Sequence, residues 1–156
     1  MNKLAIIHFQ PLELYPPVQN LLQFLEPYLS ETELEVYSNS TDSPYTYFVS
    51  NLPNIKIIRI GRTFNRMGAL TRYYNYLLFN IICFIKLIKL NPKKILYYET
   101  ISSCPAFLYR KYFNSKVEVL IHYHEYTSPE EYKSGMKLVK FFRTRFNGQR
   151  IKILNW

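Results

Sequence analysis

Four glycines, two cysteines and a single aspartate among 156 residues remove whole classes of chemistry before any pattern is read. The first glycine is Gly61, and neither Gly-x-x-x-x-Gly-Lys nor Gly-x-Gly-x-x-Gly occurs, so nucleotide hydrolysis on a phosphate loop and ordinary dinucleotide binding lose their support. Cys83 falls within an apolar helical run and Cys104 beside a proline. They read as reduced core or loop residues rather than a disulfide framework, and a cytoplasmic location is expected. The lone aspartate, Asp42, lies in a polar stretch, so a metal held by the His-x-His spacing of His122 and His124 would need His8 or Glu99 to complete its shell; no metal is expected. No apolar run is long enough to span a bilayer, which takes roughly 20 residues: Leu77 to Leu90 is shorter and contains Lys86 and Lys89. The opening run Lys3 to Ile7 breaks at His8, too soon for a signal peptide.

What is present describes a folded domain. An apolar fraction of 48% and an aromatic fraction of 17% exclude disorder. The length suits one domain, read as residues 1–145 with a tail at 146–156. Charge is unevenly placed: two basic against six acidic side chains up to residue 58, then eighteen against five. The second part should therefore face an anionic partner, whether a phosphate-bearing substrate, a lipid headgroup layer or nucleic acid.

Strand and helix patterns alternate. Lys3–His8 reads as a strand, and Tyr15-Pro16-Pro17 opens a helix with Val18, Leu21, Leu22, Leu25 and Leu29 at helical spacing, its last turn shortened by Pro27. Glu33–Tyr37 is a short strand, the polar run from Ser38 to Pro44 and the turn at Leu52-Pro53-Asn54 bracket an irregular connection, and Ile55–Ile60 is a strand ended by Gly61. Ala69–Leu90 is the longest helix, with Leu70, Tyr74, Leu77, Leu78, Ile81, Ile85 and Ile88 on one face and Asn91-Pro92 stopping it. Lys94–Glu99 is a strand, Pro105–Tyr112 a short helix, Val117–Tyr123 a strand, and Pro129 to about Arg145 a last helix entered through the capping box Ser128-Pro129-Glu130-Glu131. Five strands interleaved with four helices predict an α/β, doubly wound, Rossmann-like parallel sheet with helices on both faces.

All three histidines, His8, His122 and His124, fall at or near carboxyl ends of these strands, as do Glu99 and Glu125. Ligands bind at that edge in open α/β sheets, where successive crossovers part to opposite faces. A buried histidine satisfied by backbone is the ordinary alternative for His124, and Glu99 equally suits the solvated end of a strand.

The segment LIHYHEYTSPEEYKSGMKL, with HFQPLELYPPVQN after the first strand and ILYYET after the fourth, resembles the N-terminal, acceptor-side domain of bacterial family 4 glycosyltransferases of the GT-B fold. The resemblance implies transfer of a sugar from a nucleotide sugar to a glycan or lipid-linked acceptor, without metal or other cofactor. It places His124 and Glu125 where the family carries a His-Asp or His-Glu pair near the reacting sugar, and it suggests His8, Gln10, Glu13, Glu99 and His122 as substrate contacts. Two features depart from the family. The glycine pair common after the first strand is replaced by Pro16-Pro17, and residues 143–156 hold no counterpart of the donor-binding half, so this chain is expected to be incomplete alone: an excised domain, a truncated product, or one chain of a split transferase completed by a separate donor-binding chain. The Asp-x-Asp metal clamp of the other large glycosyltransferase fold is absent too.

The basic side chains form two groups. Lys133, Lys137 and Lys140 recur on one face of the last helix, and Arg59, Arg62, Arg66 and Arg72 surround the loop leading into the long helix, among Phe64, Tyr73, Tyr74 and Tyr76. A charged face is commonly only solvated; mixed with aromatics it suits an anionic membrane, giving the expectation of peripheral contact at the inner face. The alternatives from another class are a basic nucleic-acid binder and a non-catalytic partner subunit. Nucleic acid is disfavoured because no zinc finger, basic zipper or RNA-recognition aromatic consensus is present.

Overall fold

The fold is taken from a computed structural model, which describes residues 2–29, 31–41, 48–50, 52–63 and 68–122. The chain divides into two compact units, Met1–Tyr123 and His124–Trp156, and the described residues all belong to the first. The predicted last helix lies outside them.

Five strands build one parallel sheet: β1 (Asn2–Ile7), β2 (Thr32–Thr41), β3 (Ile55–Thr63), β4 (Lys94–Tyr98) and β5 (Glu118–His122), in the order β3-β2-β1-β4-β5. Between them run α1 (Pro16–Leu25), α2 (Ala69–Leu90) and α3 (Ser103–Tyr112). Alternation of side chains along β1 divides the core in two. Ala5 and Ile7 pack with Phe79, Cys83 and Leu87 of α2 and Ala106 and Tyr109 of α3, whereas Ile6 packs on the other face with Val18 and Leu22 of α1. Helices thus cover both faces, as expected of a doubly wound sheet, and the strand order reverses between β1 and β4.

Local signals account for the helix ends. Pro16 starts α1, where the missing N–H costs nothing, and the helix gives way to a 3-10 turn at Glu26–Tyr28 around Pro27. Asn91 closes α2 in the left-handed conformation at φ 51°, with its N–H donating to Leu87 O at 2.9 Å. Its side chain accepts a 2.8 Å hydrogen bond from the Tyr109 hydroxyl, tying α2 to α3.

Three expectations need correction. The second strand does not end at Tyr37: β2 continues into the polar run as far as Thr41, with Ser38 and Asn39 fully buried. The strand survives because those polar groups are matched, Asn39 Nδ2 donating to Phe9 O at 2.7 Å and Asn39 Oδ1 accepting from Gly61 N at 3.0 Å. Nor does Gly61 end β3, which runs through it to Thr63. Here the glycine is required by space: a Cβ would lie 2.8 Å from Asn39 Oδ1 and closer still to Asn75 Oδ1. Gly61→Ala is expected to destabilise the domain by about 1–3 kcal/mol as an overpacked site, read from urea unfolding midpoints.

The third correction concerns α2. The face marked by Leu70, Tyr74, Leu77, Ile81 and Ile85 is the outward one, and the helix docks instead through Asn75, Phe79, Asn80, Cys83, Leu87 and Leu90. The helix also extends beyond the Leu77–Leu90 run, and contrary to the expectation that no apolar run is long enough, its 22 residues are long and apolar enough to cross a bilayer by length and composition.

Candidate functional site

The pairing register aligns the ends of three neighbouring strands. Ile7 of β1 pairs with Tyr97 of β4, and Tyr98 of β4 pairs with His122 of β5, so His8, Tyr98 and His122 form a row along the carboxyl edge at the switch point. The rings make contact along the row: His8 and Tyr98 meet edge-on with centroids 5.6 Å apart, and Tyr98 and His122 lie 4.7 Å apart. Tyr15, which precedes α1, closes the inner end with its ring 4.5 Å from His8 and 6.0 Å from Tyr98. Tyr15 also donates its hydroxyl hydrogen to Glu99 Oε1 at 3.4 Å.

The members differ in access. His8 and Tyr98 are buried and form the floor; Tyr15 and Glu99 are half-buried; His122 and Gln10 are exposed at the rim. His8 is only 1% exposed, and its Nδ1 is buried without a hydrogen-bond partner. Desolvation lowers its pKa to about 4, partly offset by a hydrogen bond with the Gln10 backbone, so the ring is neutral near pH 7. Burial pushes the Tyr98 phenol up to about 12, with the neighbouring Tyr15 adding to the shift. Both floor groups are uncharged at physiological pH.

Glu99 is held in a rare backbone conformation, φ 59° and ψ 160°, a region suited to glycine. The surrounding structure fixes it: Glu99 N donates to His122 O at 3.1 Å, and Glu99 O accepts from Ser102 N at 3.2 Å. Ser102 in turn accepts from Phe9 N at 2.9 Å through its hydroxyl, while Phe9 O takes the bond from Asn39. The residue after His8 is therefore pinned from both sides. Glu99 is a carboxylate kept at the edge at the expense of backbone strain, and non-glycine residues in such conformations cluster at functional sites.

Glu13 has a different setting. Its side chain is 1% exposed and engages the Arg59 guanidinium with both oxygens, while Oε1 accepts from Phe48 N at 3.0 Å. Arg59 also donates to Ser38 Oγ at 2.7 Å. This ion pair clamps the loop after β1 to β2, β3 and the segment at Phe48. A concavity of about 400 Å³ beside it is lined by Ser40, Phe48, Val49, Ser50, Ile55, Ile57 and Arg59, away from the row at the switch point.

Arg62 and Arg72 are exposed, at the end of β3 and in the first turn of α2. His124, Glu125, Arg66, Lys133, Lys137 and Lys140 lie outside the described residues. Among the described residues, no three His, Cys, Asp or Glu side chains converge as a metal site would require. Sequence reasoning missed Tyr15, Tyr98 and Ser102. Their signal is tertiary, the register that sets Tyr98 beside His122 and the hydrogen bond from Phe9 N to Ser102 Oγ, which hydrophobic periodicity along one strand does not contain.

Neither a protein-family model nor a curated protein sequence matches this chain. Solved structures do match. Sucrose-phosphate synthase from Thermosynechococcus elongatus superposes with a TM-score of 0.64 at 13% identity, over 94% of this chain and 39% of that one. A second structure of the same enzyme gives a TM-score of 0.57 at 14% identity, over 98% of this chain and 99% of that one. The likeness establishes a shared fold, and this chain spans well under half the length of the first structure.

Proposed function

We propose that this domain is the acceptor-binding half of a GT-B glycosyltransferase, binding a glycan or lipid-linked sugar at the carboxyl edge of the sheet while a second Rossmann-like half holds the nucleotide sugar. The observation that carries this reading is the strained Glu99 beside the aligned His8, Tyr98 and His122 at the switch point. The fold shared with an enzyme named for making sucrose phosphate supports it, as does the sequence resemblance.

The chemistry of the edge suits a sugar. Glu99 can accept hydrogen bonds from vicinal hydroxyls, His122 and Gln10 offer exposed polar groups around it, and Tyr15 orients the carboxylate. His8 and Tyr98 act as positioning residues, fixing the ring of Tyr15 and the height of the rim. His124 and Glu125 take the role near the reacting sugar on the strength of the resemblance alone. A retaining transfer would leave no general-base step for His124, whose part is then to orient a hydroxyl.

Glu99 provides the test. Glu99→Gly relieves the positive φ and is expected to hold or raise stability, since the strain released is on the order of 1–3 kcal/mol. The same change removes the carboxylate, so binding of hexoses, hexose phosphates or short glucans, followed by saturation-transfer NMR, should weaken by about tenfold or more. A variant that is more stable and binds the same sugars as well as the parent would defeat this reading.

A further inference from the structure

We infer that the outward face of α2 is a docking surface for an anionic lipid bilayer, on which the helix lies in the plane of the interface. A helix is expected to turn one apolar stripe inward and a polar one outward. This helix is apolar on both sides. Opposite the docked side, Leu70, Tyr73, Tyr74, Leu77, Ile81 and Ile85 form a stripe about 22 Å long at 1.5 Å per residue. Leu70 is 86% exposed, Tyr74 66% and Ile81 56%. Large side chains so exposed and so aligned mark an interaction surface, because isolated exposed hydrophobics would not keep helical register over four turns.

Charge identifies the occupant. From Gly61 to Val117 the chain carries ten basic side chains and one acid, Glu99, which belongs to the edge site. Arg72 in the first turn of α2, Lys89 in the last, and Arg110 and Lys111 on the neighbouring α3 are all exposed. Phe113, just beyond α3, is also exposed, and its ring meets Phe84 of α2 edge-on with centroids 5.4 Å apart. An apolar stripe flanked by charge of one sign and by aromatic rings matches the layered chemistry of an anionic membrane, where tyrosines sit at headgroup depth and long basic side chains reach the phosphates. A second copy of the same face would bring like charges together. The in-plane orientation follows from the docked side: Phe79, Cys83, Leu87 and Leu90 are buried against the sheet, and a spanning helix would have to abandon them.

The inference does not depend on the sugar-binding reading. Its test is flotation of the full chain with phosphatidylcholine vesicles prepared with and without phosphatidylglycerol. Binding is expected to the phosphatidylglycerol vesicles, to weaken as salt rises, and to fall by roughly tenfold or more in the Leu77→Glu/Ile81→Glu double variant, circular dichroism confirming its fold. Should that variant misfold, Leu70→Gln/Tyr74→Gln, at more exposed positions, is expected to show the same loss. Wild-type protein that stays with neither vesicle, stripe variants that float as well as the parent, or a dimer that the variants convert to monomer would each overturn it. The last outcome would assign the face to a second copy.

Discussion

Glu13→Ala is expected to lower stability by about 3 kcal/mol, because it removes one half of a buried ion pair rather than a surface charge. The Arg59 side chain is 19% exposed and its carboxylate partner 1% exposed, so solvent replaces little of what the mutation takes away. Phe48 N loses its acceptor at the same time. Other acceptors of Arg59, among them Ser38 Oγ at 2.7 Å, Phe48 O at 3.3 Å and Asn39 O at 3.5 Å, keep the loss toward the lower end of the usual range for broken buried pairs. For a domain of this size the loss corresponds to a fall in Tm of roughly 10 °C. The pair need not be strongly favourable to produce that effect. Replacing both members, as in Glu13→Leu/Arg59→Met, removes both charges of the pair together and should recover much of the loss, and a double-mutant cycle measures the coupling. Additive single losses would show that the two side chains act independently.

Acidification should weaken the domain through His8. Its pKa is 6.5 when unfolded and lowered to about 4 in the folded state, chiefly by desolvation. Between those values the unfolded chain binds the proton that the folded one refuses, so stability rises with pH across that window. Read downward, the loss begins as pH falls below about 6.5 and is complete near pH 4, amounting to roughly 3 kcal/mol. His8→Leu removes the titrating group along with a buried Nδ1 that lacks a partner, so near pH 7 the substitution should cost little. Urea unfolding of both proteins from pH 7 to pH 4 isolates the residue, since every other acidic group is common to the two. The wild-type curve should fall away from that of His8→Leu within the window. Parallel curves would mean that the imidazole is as easily protonated folded as unfolded. Protonation of the folded ring, centred near pH 4, would disturb the contacts of His8 with Tyr15 and Tyr98, so the proposed sugar binding at the edge should decline only as the pH approaches 4.

Strand and helix order was legible in the sequence because it depends on local patterns. Aliphatic and β-branched runs marked all five strands, Pro16 and Asn91-Pro92 marked helix limits, and alternation of the two element types implied a doubly wound sheet. The common edge of three candidate residues was legible for a similar reason: the carboxyl ends of parallel strands lie on one edge, so His8, Glu99 and His122 belong together once the strands are parallel. What the sequence did not carry was which side chains are exposed there. His8 and His122 looked alike as strand-end histidines, yet one is enclosed by Tyr15 and Tyr98 and the other lies at the rim. Glu13 looked like a loop carboxylate because Arg59, its partner, is 46 residues away.

The sequence by itself determined the element types, their order and the edge at which chemistry-bearing residues gather, since periodicity, caps and turn residues act over a few neighbours. Tertiary structure alone decided the pairing register, the strained backbone of Glu99, the burial of the Glu13–Arg59 pair and the side of α2 that docks. Hydrophobic burial has no preferred direction, and both sides of α2 offer apolar residues. The choice fell to shape and polar matching at the end of the sheet, where Gly61 leaves room for Asn75 beside Asn39.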